Sequence, residues 1–230
     1  MRRLAAALSR RWRAHFHRYA IDDPRPVADD APYTYFLPSE NELLAVQPED
    51  MVKLIFRGIP PSPEWGAERM WVRVTAASRH ELQGVLDNVP SEMQQLRPGD
   101  PVTFRRSDII DLIWAEDRDP APPAAPPRRE YWERCWVDDC VLNDGARVHF
   151  LYREEPAPPE QDDRFPDSGW RIRGDYRDVD DDAVNARASR YIALGKVLNT
   201  DDSWLHLIDA PAGSAFLRNW ETDAFEADPD

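Results

Sequence analysis

Five histidines, two cysteines and forty-three carboxylates are the residues through which this 230-residue chain could do chemistry. His15, His17, His80, His149 and His206 show no zinc spacing such as H-E-x-x-H, and no Cys-x-x-Cys accompanies them. Cys135 and Cys140 stand five apart, which on one strand points them to opposite faces, and both read as buried thiols of a reducing compartment. Asp178, Asp180 and Asp182 fill the first, third and fifth positions of a calcium-loop pattern. Ala183 stands where that loop needs glycine and Ser189 where it needs a bidentate glutamate, so the run reads as an acidic helix start and no metal is expected. Ser168, between Asp167 and Gly169, has no base beside it in sequence, although His149 or His206 could meet it in space as in a serine hydrolase. Glu154-Glu155 and Asp162-Asp163 are carboxylate pairs of the kind acid–base catalysis uses, but so acidic a chain produces such pairs by composition. No glycine-rich phosphate loop or G-x-S-x-G elbow occurs, and no cofactor is expected.

The second half instead concentrates tryptophan, arginine and acid. Trp132, Trp136, Trp170, Trp204 and Trp220 lie among Arg153, Arg171, Arg173 and many carboxylates, and Trp and Arg are the residues enriched in binding hot spots. The loop from Glu154 to Trp170 and the stretch Asp175–Asp182 hold these types together between ordered elements. The candidate partner-binding residues are therefore Arg153, Glu154, Glu155, Asp167, Ser168, Trp170, Arg171, Asp175, Asp178, Asp180, Asp181 and Asp182. The same tryptophans and arginines could equally fill a small core and pair with acids.

The elements that position these residues fall into two modules. Asp117 to Glu130 reads DRDPAPPAAPPRRE; proline fixes φ and removes donors, so residues 117–129 read as a semi-rigid spacer. It separates a β-rich module over 31–116 from an α+β module over 130–230. In the first, Val52, Leu54 and Phe56 alternate along one strand and Met70, Val72 and Val74 along another, while Leu82 and Leu86 share a face of a third. Arg97-Pro98-Gly99-Asp100 is a turn into Val102-Thr103-Phe104, and Ser107 is expected to cap a short helix with Ile109, Ile110 and Ile113 inward. A small barrel or open sheet with one short helix results. In the second, Asn143-Asp144-Gly145 is expected to turn a β-hairpin between 135–142 and 146–153, with Val148, Phe150 and Tyr152 on one face. Trp170–Arg173 reads as a strand. Val184, Ala188, Tyr191 and Ile192 follow helical spacing, with Gly195 closing that helix. The fold class is α+β, the second module an antiparallel hairpin sheet with one or two helices.

Charge excludes further classes. Residues 1–20 carry six arginines and no acid, and Leu4, Leu8, Trp12, Phe16 and Tyr19 fall at helical spacing, so 1–30 reads as a basic amphipathic segment able to touch a membrane surface through 1–20. Its five-residue apolar run is too short for a secretory signal, and cytoplasm is the expected compartment. Beyond it acids dominate: thirteen basic against twenty-four acidic residues from 128 onward, and a net charge of −14 overall. Nucleic acid would be repelled and a basic protein attracted.

Residue blocks point to families. Cys135-Trp-Val-Asp-Asp139, Asn143-Asp-Gly145, Leu151-Tyr-Arg-Glu-Glu-Pro156, Asp167-Ser-Gly-Trp-Arg171 and Leu207-Ile-Asp-Ala-Pro-Ala-Gly-Ser-Ala-Phe216 follow in the order of a bacterial domain first catalogued as of unknown function. The segment resembles the immunity protein 33-like family of polymorphic toxin systems over about 135–216. Glu68-Arg-Met-Trp-Val-Arg-Val-Thr75, Gly84-Val-Leu-Asp-Asn88 and Leu96–Phe104 resemble another small bacterial domain of unknown function. Neither resemblance brings a catalytic residue. Together they imply a non-enzymatic, intracellular immunity protein that binds a cognate toxin or secreted effector through an acidic surface. The alternatives are a small hydrolase using Asp, Glu or His in the second module, and a membrane-surface adaptor of a secretion system.

Overall fold

Alternating apolar residues make the strands of the first unit, and the structure, a computed structural model, describes residues 18–61, 64–93, 96–158 and 164–228. The chain divides into two compact units: residues up to 29 with 36–127, and residues 30–35 with those from 128 on. In the first, β1 (Arg18–Ile21), β2 (Met51–Ile59), β3 (Glu68–Ala77), β4 (Glu81–Leu86) and β5 (Pro101–Arg105) are antiparallel neighbours in that order. β6 (Asp111–Ile113) returns to β2, pairing Met51 with Ile113, and the sheet becomes a nearly closed barrel. Val52, Leu54, Phe56, Met70, Val72, Val74, Leu82, Leu86, Val102 and Phe104 fill it, as the period-two pattern requires. Each such side chain taken from water contributes about 1.5–3 kcal/mol. Gly84 belongs to this packing, because a Cβ there would stand 2.6 Å from the Arg73 carbonyl oxygen. Two short helices, α1 (Arg25–Asp30) and α2 (Glu40–Ala45), complete the unit's chain; α2 starts in a capping box between Ser39 and Glu42.

Two expectations fail here. The helix after Ser107 is a 3-10 turn, Arg106–Asp108, whose Asp108 accepts from the Arg105 amide at 2.8 Å; the chain then enters β6, with Ile109 and Ile110 buried and Ile113 exposed. Backbone pairing to β2 is available only to extended chain, and it overrides the helical spacing. Tyr19, counted on the basic helix, lies on β1 against Phe56, 5.7 Å between rings. The remaining residues of that expected helix lie outside the described ones.

The second unit is a six-stranded sheet in the order β10–β7–β9–β8–β11–β12, made of β7 (Arg134–Asp138), β8 (Val148–Arg153), β9 (Asp167–Gly174), β10 (Ser189–Ala193), β11 (Ala215–Asn219) and β12 (Ala224–Ala227). β7 and β9 are parallel and every other pair antiparallel. The protein is thus α+β with few helices. The hairpin expected at 143–145 is absent: helix α3 (Asp139–Asn143) follows β7 directly, and β9 lies between β7 and β8. Gly145, with φ +70°, ends that helix, the Asp144 and Ala146 amides both donating to the Cys140 carbonyl. The same left-handed residue that turns a hairpin also caps a helix. A register shift between Val148 and Phe150 sends Val148 into the core and leaves Phe150 and Tyr152 half-buried on the other face.

The helix expected over 184–192 divides into α4 (Asp181–Asn185) and strand β10, where Tyr191 pairs with Trp136 and Ile192 with Cys135. Gly195 sits at the start of α5 (Leu194–Leu198) instead of closing a helix, because a Cβ there would meet the Tyr33 carbonyl oxygen at 2.7 Å. Residues 30–35 are thereby part of this unit: the Tyr33 amide donates to Asn199 Oδ1 at 2.9 Å, Asn199 Nδ2 to Thr34 Oγ1 at 2.7 Å, and the Tyr33 hydroxyl to Asp202 at 2.7 Å. Residues 31–35, read from composition with the first module, are thus held in the second unit by hydrogen bonds that sequence does not display.

Arg118, within the stretch read as spacer, is also held. Its guanidinium donates to Asp50 and to the Ala45 carbonyl, and both charged side chains are almost wholly buried. Asp50 further accepts from the Gln47 and Ala115 amides at 2.9 and 3.1 Å. Replacing Arg118 by Met should strand a buried carboxylate and cost about 3–5 kcal/mol, while the double replacement with Asp50→Asn recovers part of it. Denaturant melts of the two variants check this; equal midpoints for wild type and R118M would show that Asp50 needs no counter-ion.

Candidate functional site

The candidate residues separate into two clusters at opposite ends of β9. At its start, Asp167 accepts two hydrogen bonds from Arg171, at 3.1 and 2.9 Å, and one each from the Ala157 and Gly169 amides at 3.2 Å. Burial pushes the Asp167 carboxyl up, but these donors and the Arg171 charge outweigh it, and its pKa lies below the ordinary value. The second oxygen set on Arg171 is Glu154, at 2.9 Å from Nε. Arg153 turns to the other face, donating to the Ser168 and Ala210 carbonyls at 2.9 and 2.6 Å with its guanidinium 5.6 Å from the Trp170 ring. Trp170 is fully buried, edge-on to Trp204 at 5.6 Å, and its indole N–H donates to the Ile208 carbonyl at 3.3 Å. Gly169 has φ +83°, and a Cβ there would lie 2.2 Å from the Glu154 carbonyl oxygen, so the close approach of β8 to β9 requires glycine.

Asp167, Ser168 and Trp170 are therefore buried and spent on holding the sheet, and Arg153 is half-buried on carbonyl oxygens. Glu154 and Glu155 are the exposed members of this cluster. The Ser168 hydroxyl donates to the Arg134 carbonyl at 2.7 Å and accepts from the Trp170 amide. The imidazole of His149 is occupied elsewhere: Nδ1 accepts from the Tyr176 amide at 3.3 Å, and the ring stacks on Tyr176 at 4.2 Å. Burial lowers its pKa, with Asp175 opposing and Arg177 and Arg218 assisting.

The second cluster follows β9. Asp175 accepts from Arg177 at 2.7 Å, and Arg177 lies 3.7 Å from the centre of the Trp220 ring. Asp178, Asp180, Asp181 and Asp182 are all exposed. Asp180 is the N-cap of α4, accepting from the Ala183 amide at 3.0 Å, and Asp181 and Asp182 occupy the first turn. Acids there offset the partial positive charge of the free amides. Among the described residues no three His, Cys, Asp or Glu side chains converge as metal ligands.

The cysteines part company. Cys135 lies on β7 and Cys140 on α3, rather than on opposite faces of one strand; both are free thiols. Burial pushes the Cys135 thiol up to about 12 and raises Cys140 as well, so neither is a ready nucleophile. Sequence reasoning missed Tyr191 as a surface aromatic because its spacing suggested a helix; the signal was the Tyr191-Ile192 pair, which suits a strand.

Two protein-family models match the chain, one on each segment. Residues 135–228 match the Immunity protein Imm33 domain. The Imm33 match begins at Cys135 on β7 and ends after β12, so it takes in the whole six-stranded sheet except Arg134. Residues 33–121 match a second family, described as "Uncharacterized protein conserved in bacteria (DUF2314)". Both resemblances read from the residue blocks are borne out, in the expected order. No curated protein and no solved structure gives a significant match.

The depressed Asp167 carboxyl fixes the sign of an acid effect. A group whose folded pKa lies below its unfolded value contributes stability that is present above the unfolded value, near pH 4, and lost as pH falls through the folded one. Asp167→Asn should lower stability at pH 7 and flatten the decline of wild-type stability between about pH 5 and pH 2. Melts over that range test it, and parallel curves for the two proteins would show that Asp167 is not the group responsible.

Proposed function

We propose that the protein is an immunity protein whose Imm33 segment binds and neutralises a cognate basic toxin or secreted effector, without catalysis, in the cytoplasm. The observation that carries the reading is the Imm33 match over a segment with a large surplus of acid. An immunity protein needs only a tight complementary surface, and surplus negative charge speeds encounter with a cationic partner. The free, unbridged thiols suit a reducing compartment. Of the candidate residues, Glu154, Glu155, Asp178, Asp180, Asp181 and Asp182 are exposed and form the interface in this reading, while Asp167, Ser168, Trp170 and Arg171 position them.

The test keeps the helix cap and removes charge. In a variant carrying Glu155→Gln, Asp178→Asn, Asp181→Asn and Asp182→Asn, Asp180 still caps α4, so stability should fall only by the roughly 0.3–1 kcal/mol per charge lost from the first turn. Association with the cognate toxin should slow by about tenfold at low salt, and the gap should close toward 1 M salt, where the Debye length is ~3 Å. An on-rate equal to wild type at low salt would remove electrostatic steering from the reading.

A further inference from the structure

One face of the six-stranded sheet carries the unit's core, in which Cys135, Val137, Leu151, Trp170 and Ile172 pack under α5 and the 204–208 turn. Residues facing the other way alternate with these, and on a half-solvated antiparallel sheet they are ordinarily polar. Here they are not. The paired positions across β10, β7, β9, β8 and β11 read Tyr191, Trp136, Arg171, Tyr152 and Ala215, and in the next row Phe150 stands between Arg173 and Leu217. Trp136 and Tyr191 are 43% and 39% exposed with their rings 5.3 Å apart, and Leu217 is 37% exposed. Phe150 and Tyr152 continue the patch, 5.5 Å between rings.

The charges on this face are arranged to favour one sign of partner. Arg171 is paired with both Asp167 and Glu154, while Arg173 and Arg187 share Asp138, at 3.1 and 3.5 Å. Exposed acids stand at both ends: Glu154 and Glu155 where β8 finishes, and Asp180–Asp182 on α4, whose Val184 carbonyl accepts from Arg173 at 2.8 Å. Beside the aromatic patch a cleft of about 670 Å³ opens between the end of β8 and residues 212–215, with Phe150 and Tyr152 on its wall and Glu154 and Glu155 on its lip. Aromatic rings next to carboxylates are what an arginine or lysine side chain binds, through cation–π and ion-pair contacts together.

We propose that this sheet face, on which Trp136 and Tyr191 are exposed, is the docking surface for a basic protein partner, and that the cleft at Phe150 and Tyr152 receives one of the partner's arginine or lysine side chains. The inference rests on the immunity reading, since it takes the toxin as that partner. Acids at the rim steer, and the aromatic centre, exposed and with few rotatable bonds, holds.

The experiment uses the full chain and the cognate toxin of the proposed function. Trp136→Ala with Tyr191→Ala should weaken binding by about thirtyfold or more, nearly independently of salt, with the melt midpoint close to wild type. Tyr152→Ala with Glu155→Lys should weaken it comparably through loss of the cleft. Wild-type affinity in both double variants overturns the proposal while leaving the immunity reading standing; a wild-type chain that neither binds nor protects against the toxin overturns both. Hydroxyl-radical footprinting of the wild-type complex gives a readout that needs no variant: Trp136 and Tyr191 should lose reactivity on binding, and unchanged reactivity overturns the proposal. Light scattering of the free chain tests a second copy as the occupant, and a dimer abolished by Trp136→Ala would assign the face to self-association and overturn it.

Discussion

Strand β9 can reach its place in the second unit only if the chain leaves a gap for it between β7 and β8, and most of the unit's features are consequences of that gap. The connection from β7 to β8 has to climb out of the sheet and return, which α3 and the Gly145 cap accomplish. Once inserted, β9 is hydrogen-bonded on both sides, and its alternation puts Trp170 and Ile172 into the core and Arg171 and Arg173 on the other face. Those arginines need carboxylates within reach. Asp167, Glu154 and Asp138 supply them, Asp167 and Asp138 from buried positions and Glu154 from a side chain that stays half exposed.

That pairing shapes the surface charge. Arg218 shows the same economy: fully buried, it donates to the Val148 carbonyl, to Asp201 and Asp223, and to the Ser203 hydroxyl, joining β11 to the segment after α5. Arg129, Arg147, Arg153, Arg171, Arg173 and Arg187 are likewise tied to the unit's own acids or carbonyls, and Glu155, Asp178, Asp181 and Asp182 sit in the open. These exposed acids are thus the remainder after internal pairing.

The first unit solves a different problem with the same chemistry. A sheet that closes nearly on itself leaves few free edges, and its buried Asp50 ties the 45–47 segment, Ala115 and Arg118 to one point. The charge is tolerable there because every oxygen has a donor. The tie reaches into a proline-rich stretch that composition alone would leave outside any core.

Sequence by itself determined the α+β class, the order of the two matched segments and the faces of β2, β3 and β4, because period-two alternation of Val52, Leu54, Phe56, Met70, Val72 and Val74 is a local property that burial then enforces. It also located the acid at the start of α4, since capping is set by neighbours in the chain. Tertiary structure decided the rest. Asn143-Asp144-Gly145 permits a positive φ but does not say whether a hairpin or a helix cap will use it; the arrival of β9, more than twenty residues later, settles that. Tyr191 and Ile192 fit a helix by spacing and a strand by type, and the open edge of β7 selected the strand. Asn199 reaches back more than 160 residues to Tyr33 and Thr34. Trp170 and Trp136 were indistinguishable as tryptophans near arginines; which one is sealed under Trp204 and which one faces out follows only from the register of strands that are distant in sequence, because a one-residue slip would exchange their faces.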